Sequence, residues 1–262
     1  MQCMACVAAS SMVCDSRAQA TASADAPAAL DPTPWTYSIG LRTEVPDLHH
    51  PGSIQLRASL GLRYGRWRIG QTDGQNWHRF GQVLQDSSLT YDLRQDAKWS
   101  ASLSGSIVNL DNNSQLDALK AGRKTLRAKA GLDYRLPNRW SVGLIATQDL
   151  FMRGDGTTLS PTLTYRQPIN EVSTLMLSQS MTWANSAHWQ TQQALEPLSR
   201  THQGSGLGEY AVQLAYRQRL SPHWAFFSQL GAQHTLSPVQ TPLTTAPIWN
   251  YSAQLGVMYF DQ

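Results

Sequence analysis

Ile54-Gln55-Leu56-Arg57-Ala58-Ser59-Leu60-Gly61-Leu62-Arg63-Tyr64 is the stretch that decides the fold. Ile54, Leu56, Ala58, Leu60, Leu62 and Tyr64 share one face, and Gln55, Arg57, Ser59, Gly61 and Arg63 share the other. An amphipathic helix repeats every 3.6 residues and cannot alternate over such a length. Leu126 to Leu136 repeats the pattern, with Leu126, Ala128, Ala130, Leu132, Tyr134 and Leu136 set against Arg127, Lys129, Gly131, Asp133 and Arg135. Both segments have the length of a tilted membrane strand, about nine to eleven residues.

Working outward, the period stays at two from Trp35 onward. It predicts twelve strands, over 35–43, 54–64, 66–72, 86–94, 97–108, 124–136, 139–148, 157–166, 171–183, 209–220, 223–234 and 248–260. Gly65, Gln95-Asp96, Pro137-Asn138, Gln167 to Asn170 and Ser221-Pro222 are short turns made of turn-forming residues. Longer segments at 44–53, 73–85, 109–123, 149–156, 184–208 and 235–247 lie between them and are rich in Gly, Asp, Asn, Pro, Gln and His. Short and long connections alternate throughout. The fold class that follows is all-β: a closed antiparallel up-and-down transmembrane β-barrel of about 12 strands over 35–262. Its short turns face the periplasm and its longer loops the exterior. An even strand number closes the sheet and leaves no edge.

A recurring phrase fixes the orientation. A strand ends near a Tyr, a tight turn follows, and a Trp opens the next strand. The copies are Tyr64 with Trp67, Tyr91 with Trp99, Tyr134 with Trp140 and Tyr216 with Trp224; Tyr165 begins a fifth whose Trp is replaced by Val172. All lie on the short-turn side and on the apolar phase. Amphipathic rings at headgroup depth form such a girdle, so these nine residues are the periplasmic girdle candidates.

The composition agrees. The 262-residue chain is 41% hydrophobic and 15% charged, with a net charge of +3. Mean hydropathy is −0.36, and no run of about 18 apolar residues offers a transmembrane helix. The charge is too weak and dispersed for nucleic acid. A soluble barrel of this strand number would have to fill a wide interior from a face rich in Ala and Gly, and would leave the aromatic bands without a reason. Cys3, Cys6 and Cys14 all fall in a small, apolar N-terminal run ending at Ala18-Gln19-Ala20, an A-x-A cleavage pattern. Residues 1–20 therefore read as a signal peptide and 21–34 as a flexible leader, although no Lys or Arg precedes the apolar run. Acylation at Cys14 is disfavoured by the bulky Val13.

The chain resembles the MipA/OmpV family, the MltA-interacting outer-membrane proteins, from about Trp35 to Phe260. Pro46 and Pro51-Gly52-Ser53 resemble the family's proline-x-tyrosine-x-glycine-serine loop, with His49-His50 in place of the aromatic. Leu62-Arg63-Tyr64-Gly65-Arg66-Trp67 is similar to its first hairpin turn, and Tyr216 to Trp224 to its penultimate hairpin. The family's glycine-aspartate-alanine run is missing near Leu236-Ser237-Pro238. The final strand ends in aromatics, as outer-membrane strands do. The resemblance implies a bacterial outer-membrane protein in contact with outer-membrane lipid. It also implies scaffolding of murein enzymes, a lytic transglycosylase and a penicillin-binding protein. It implies no enzyme, no catalytic residues and no cofactor.

The residues themselves point the same way. His49, His50, His78, His188, His202, His223 and His234 lie mostly in loops or near strand ends, without a Ser and an acid at recognisable spacing. No Cys–His or carboxylate cluster suggests a metal site. Gly204-Ser205-Gly206-Leu207-Gly208 reads as a mobile loop. The lumen-lining candidates are Arg57, Arg63, Arg94, Lys98, Arg127, Lys129, Arg135 and Arg217, against few acids, chiefly Asp92 and Asp133. A pore so lined would favour anions; a lumen closed by pairing these arginines with the acids is the alternative, and the favoured one. Arg66, Arg139 and Arg219 beside the short turns are candidates for docking a periplasmic partner.

Overall fold

A computed structural model describes residues 35–48, 54–70, 78–79, 82–83, 88–110, 122–194, 204–236 and 249–261. The expected signal peptide and leader, and His49, His50 and His202, lie outside the described residues. The barrel strands are β1 (Trp35–Val45), β2 (Gln55–Tyr64), β3 (Trp67–Ile69), β6 (Leu89–Gln95), β7 (Trp99–Asn109), β8 (Lys124–Arg135), β9 (Trp140–Asp149), β10 (Thr157–Pro168), β11 (Ser173–Ala184), β12 (Gly206–Arg219), β13 (Trp224–Thr235) and β14 (Trp249–Phe260). Two short strands, β4 (His78–Arg79) and β5 (Gln82–Val83), form a separate hairpin between β3 and β6. A helix, α1 (Ser186–Ala194), lies between β11 and β12.

Among the described residues, twelve strands close one antiparallel barrel in sequence order, as the alternating periodicity predicts. The last strand returns to the first: Ser38 pairs with Phe260 and Val45 with Ala253. No described helix is long and apolar enough to cross a membrane. The apolar phase faces outward. Ile39, Leu41, Leu56, Leu60, Leu103, Ile107, Leu132, Leu144, Leu163, Leu177, Leu230 and Leu255 are all exposed. The inward Ser38, Thr90, Ser100, Ser102, Ser160, Thr162, Thr164 and Ser178 are buried. A surface apolar outside and polar inside is the inverse of a soluble fold and suits lipid.

The aromatic girdle is built differently from the phrase that revealed it. Each Tyr meets the Trp of the strand preceding its own, across the long-loop hairpin, and not the Trp across its short turn. Ring centroids are 4.5 Å apart for Trp35–Tyr64, 4.8 Å for Trp67–Tyr91, 4.4 Å for Trp99–Tyr134 and 4.9 Å for Trp140–Tyr165. Trp224 meets Tyr259 at 5.4 Å. The exception is β11–β12, where Val172 stands in for the Trp, and Tyr216 instead donates to Ser173 Oγ at 3.2 Å. A sparser band of exposed Trp183, Trp249 and Tyr251 marks the long-loop end.

Three departures from the periodicity have local causes. Strand β3 ends at Ile69 because Gly70 turns at φ 68°. A Cβ there would lie 2.2 Å from the Leu60 carbonyl oxygen. Strand β12 begins at Gly206, so part of the predicted Gly-rich loop pairs in the sheet, with Gly206 opposite Ala184. And part of the lumen is apolar: Met176, Ala215, Ala225, Phe227, Met258 and Phe260 form a buried inward cluster on β11–β14. It packs against inward glycines. A Cβ on Gly256 would lie 2.4 Å from Phe227 Cζ, and one on Gly40 would lie 3.1 Å from Met258 Cε.

Gly256→Ala should therefore lower barrel stability by about 1–3 kcal/mol, the usual range for overpacking. The readout is the temperature at which the heat-modifiable gel band shifts. Adding Phe227→Leu should recover part of the loss, and an unchanged single variant would refute this packing.

Candidate functional site

The short-turn rim is closed by side-chain oxygens that imitate turn hydrogen bonds. Asp96 accepts from the backbone of Lys98 at 3.0 Å and Trp99 at 2.6 Å, and from Arg94 Nε. The Trp99 N–H foremost, then Arg94, holds the Asp96 carboxyl below its ordinary pKa. Asn170 accepts from Val172 N at 3.0 Å, and Ser221 from Trp224 N at 3.1 Å. His223 secures the chain end: its Nδ1 lies 3.0 Å from the Phe260 carbonyl, and its ring stacks on Tyr259 at 5.8 Å.

Arg66, Arg139 and Arg219 stand exposed on this rim, on three different turns. Arg66 Nη1 reaches the Leu93 carbonyl at 3.5 Å, and Arg139 Nη1 reaches Gln167 Oε1 at 2.8 Å. Arg139 adopts φ 70°, next to Asn138 at φ 60°. Asn tolerates this left-handed region; a long side chain there costs of order 1 kcal/mol.

Two residues assigned to the lumen from the sequence stand on this rim instead. A bulge slips the register between Asp92, opposite Ser102, and Arg94, opposite Ala101. That extra residue moves Arg94 to the outward phase, with its side chain 63% exposed. Lys98 lies in the β6–β7 turn, because β7 starts only at Trp99, and it is exposed.

Arg57, Arg63, Arg127, Lys129, Arg135 and Arg217 occupy the inward phase, and carboxylates accompany Arg57, Arg63 and Arg127. Asp92 bridges Arg63, at 3.8 Å, and Arg68, at 3.4 Å. Glu44 lies 3.2 Å from Arg57 Nε and 3.9 Å from Arg42 Nε. Arg127 is held by both carboxylate oxygens of Asp155. The alternation could have disclosed Arg42 and Arg68, since both share the inward phase of their strands. It could not disclose Asp155, which enters from a loop.

That loop, residues 150–156, is wrapped around one carboxylate. Asp149 accepts from Thr125 Oγ1 and from the backbone N–H groups of Phe151 at 3.1 Å, Arg153 at 2.7 Å and Asp155 at 2.9 Å. Helix α1 docks on it. Asn185 Oδ1 caps the helix by accepting from His188 N at 3.1 Å. The Trp189 indole is buried and donates to the Gly206 carbonyl at 3.1 Å. His188 Nδ1 lies 2.8 Å from the Asp155 carbonyl, so Nδ1 carries the proton. Burial lowers the His188 pKa; Asp155, by its carbonyl and its carboxylate, opposes this, and Arg127 adds to it. The sequence placed this segment in a loop, since α1 has no apolar stripe. Among the described residues no cluster of His, Cys, Asp and Glu suits a metal ion.

A family profile described as MltA-interacting protein MipA matches residues 51–260. The chain belongs to the MipA family. No curated protein matches it. Solved structures similar to it include OmpT of Vibrio cholerae, at 9% identity and TM-score 0.42, covering 87% of this chain and 97% of that one. The NanC porin is similar at 9% identity and TM-score 0.44, covering 85% and 98%, and the KdgM porin at 11% and 0.41, covering 85% and 98%. A family member forming a closed barrel with an outward apolar belt is a protein of the bacterial outer membrane, in contact with its lipid. The short-turn rim is then periplasmic, as in outer-membrane barrels generally.

The docking of α1 should depend on pH. The depressed His188 pKa means that the undocked segment takes up a proton first as pH falls. Docking is then complete above the unperturbed value of 6.5 and weakens below it. Amide exchange of residues 186–194, corrected for intrinsic rates, should speed up between pH 7.5 and 5.5. His188→Gln should remove that dependence; protection independent of pH in the wild type would contradict it.

Asp149→Ala should leave the barrel closed but free the 150–156 loop, so that trypsin cuts after Arg153. Continued resistance at Arg153 would show that the carboxylate does not hold the loop.

Proposed function

We propose that this protein is an outer-membrane scaffold whose periplasmic rim docks enzymes of murein synthesis and hydrolysis. The observation that carries the reading is Arg139, exposed at the tip of a turn in a conformation that Gly or Asn would adopt more cheaply. Exposed side chains that cost local strain point to binding. Arg66 and Arg219 extend the same positive rim, and Lys98 joins it, while Arg94 is paired there with Asp96. Such a rim suits an acidic patch on a lytic transglycosylase or a penicillin-binding protein, the partners expected of this family. The family description, MltA-interacting protein, supports this class of partner.

The lumen supports a scaffold over the alternative, a small anion-favouring pore. Arg57, Arg63 and Arg127 are each matched by a carboxylate, inward hydroxyls are buried, and an apolar cluster fills one side. Nothing in this reading needs catalysis.

The test is charge reversal at the rim. Arg66→Glu, Arg139→Glu and Arg219→Glu together should abolish co-purification of murein enzymes from detergent extracts, while the heat-dependent gel shift persists. Arg139→Gly alone should keep or raise barrel stability and weaken capture several-fold. Unchanged capture by the triple variant would overturn the rim assignment. Steady anion-selective conductance of purified protein in planar bilayers would favour the pore instead.

A further inference from the structure

The geometry points to a binding site for a phosphate-bearing glycolipid of the outer leaflet, built by the β9–β10 loop and the end of β8. The loop exposes three apolar residues in succession: Leu150, Phe151 and Met152, the last 88% exposed. Exposed Met is common, but here it is held in place. Met152 adopts φ 53°, in the left-handed region. The Asp149 carboxylate clamps the backbone on both sides of it, through Phe151 N and Arg153 N. A flexible loop would let these side chains fold back onto the rim, whereas this one holds them out.

The tip stands at the membrane boundary. The Leu150 N–H donates to the Leu126 carbonyl at 2.9 Å, which places it beside Leu126, at the end of the outward row that runs from Ile107 through Leu126. The apolar tip therefore continues the lipid-facing belt past the end of β9, at the long-loop end of the barrel.

Cations flank it on the same side. Arg153 lies across the end of β8, with Nη1 2.8 Å from the Lys124 carbonyl and its guanidinium carbon 5.6 Å from the Phe151 ring centroid. Lys124 shares the outward phase of Leu126. The acids of the same loop are turned the other way: Asp149 onto Thr125 and Asp155 onto Arg127, both buried. The inward side is thus charge-matched, and the outward side keeps its cations.

An apolar tip for acyl chains beside a guanidinium and an ammonium for phosphate is complementary to an anionic amphiphile. At the external interface of this barrel, the amphiphile commits to the outer-leaflet glycolipid. A zwitterionic lipid would supply the chains without the net charge, and free phosphate the charge without the chains.

The test uses the refolded full chain in mild detergent, with bisphosphorylated hexa-acyl lipid A as probe and native mass spectrometry as readout. Lipid A should be retained at least tenfold better than phosphatidylcholine. Lys124→Gln with Arg153→Gln should reduce retention about tenfold, and Met152→Ser by several-fold. Arg153→Lys should retain most binding, and each variant is checked by its heat-dependent gel shift. Millimolar inorganic phosphate should not displace the lipid. Equal retention of phosphatidylcholine, displacement by phosphate alone, or full binding by the double glutamine variant would each overturn the proposal. So would equal loss in Arg153→Lys and the double variant, since charge would then not be the determinant.

Discussion

The constraint on which everything depends is that a bilayer offers no water to backbone N–H and C=O groups. Each group left unpaired in hydrocarbon costs several kcal/mol, so the sheet must close. Closure rests on one ladder, β1 against β14, running from Ser38–Phe260 to Val45–Ala253. Once it forms, the phase of every side chain is set, because one residue of slip would exchange lipid face for lumen. The two ends of this seam explain the chemistry beside it. Tyr259 turns outward to meet Trp224, while Phe260 turns inward to the apolar cluster. His223 and Tyr37 hold the final residues by backbone and ring contacts, with Asp261 N donating to the Tyr37 carbonyl at 3.0 Å.

Most of the barrel was legible in the sequence, for a physical reason. Lipid selects one face of a strand and the lumen the other, so β2, β8 and β14 carry an alternation that no helix imitates. The girdle was legible because interfaces select Trp and Tyr, although which rings meet depends on strand order and not on neighbourhood in sequence. What escaped reading breaks the period of two. The bulge after Asp92 moved Arg94 outward without any change in composition. Phe227 and Met258 face inward although they are apolar, since Gly256 and Gly40 leave room that only register reveals. Helix α1 is fixed by the Asn185 cap and the buried Trp189, not by an apolar stripe. At the candidate site, the lumen arginines could be placed by phase. Of their acids, Glu44 shares the inward phase of Arg42 but lies one residue past the expected end of its strand, and Asp155 enters from a loop.

The distribution of those acids bears on what the lumen charges are for. Arg42 faces Arg57 in register across β1–β2, and Arg63 faces Arg68 across β2–β3. Two guanidinium groups side by side and largely withdrawn from solvent repel, and each pair would oppose closure there. Glu44 sits between the first pair and Asp92 between the second. The second junction is where the ladder is shortest: β3 contributes only Trp67, Arg68 and Ile69, paired with Tyr91, Thr90 and Leu89. Asp92 therefore ties three strands at the place where the backbone gives least, and the 3.2 Å bond from Arg63 to Gln95 adds to it. Each acid is needed once the arginines face each other, and a row of such ties makes the lumen a cross-brace. A pore would need the same arginines unmatched, with their charge available to a passing anion. The pairing accounts for Arg42, Arg57, Arg63 and Arg68 by stability alone, since each acid offsets the repulsion that its pair of arginines would bring to the seam.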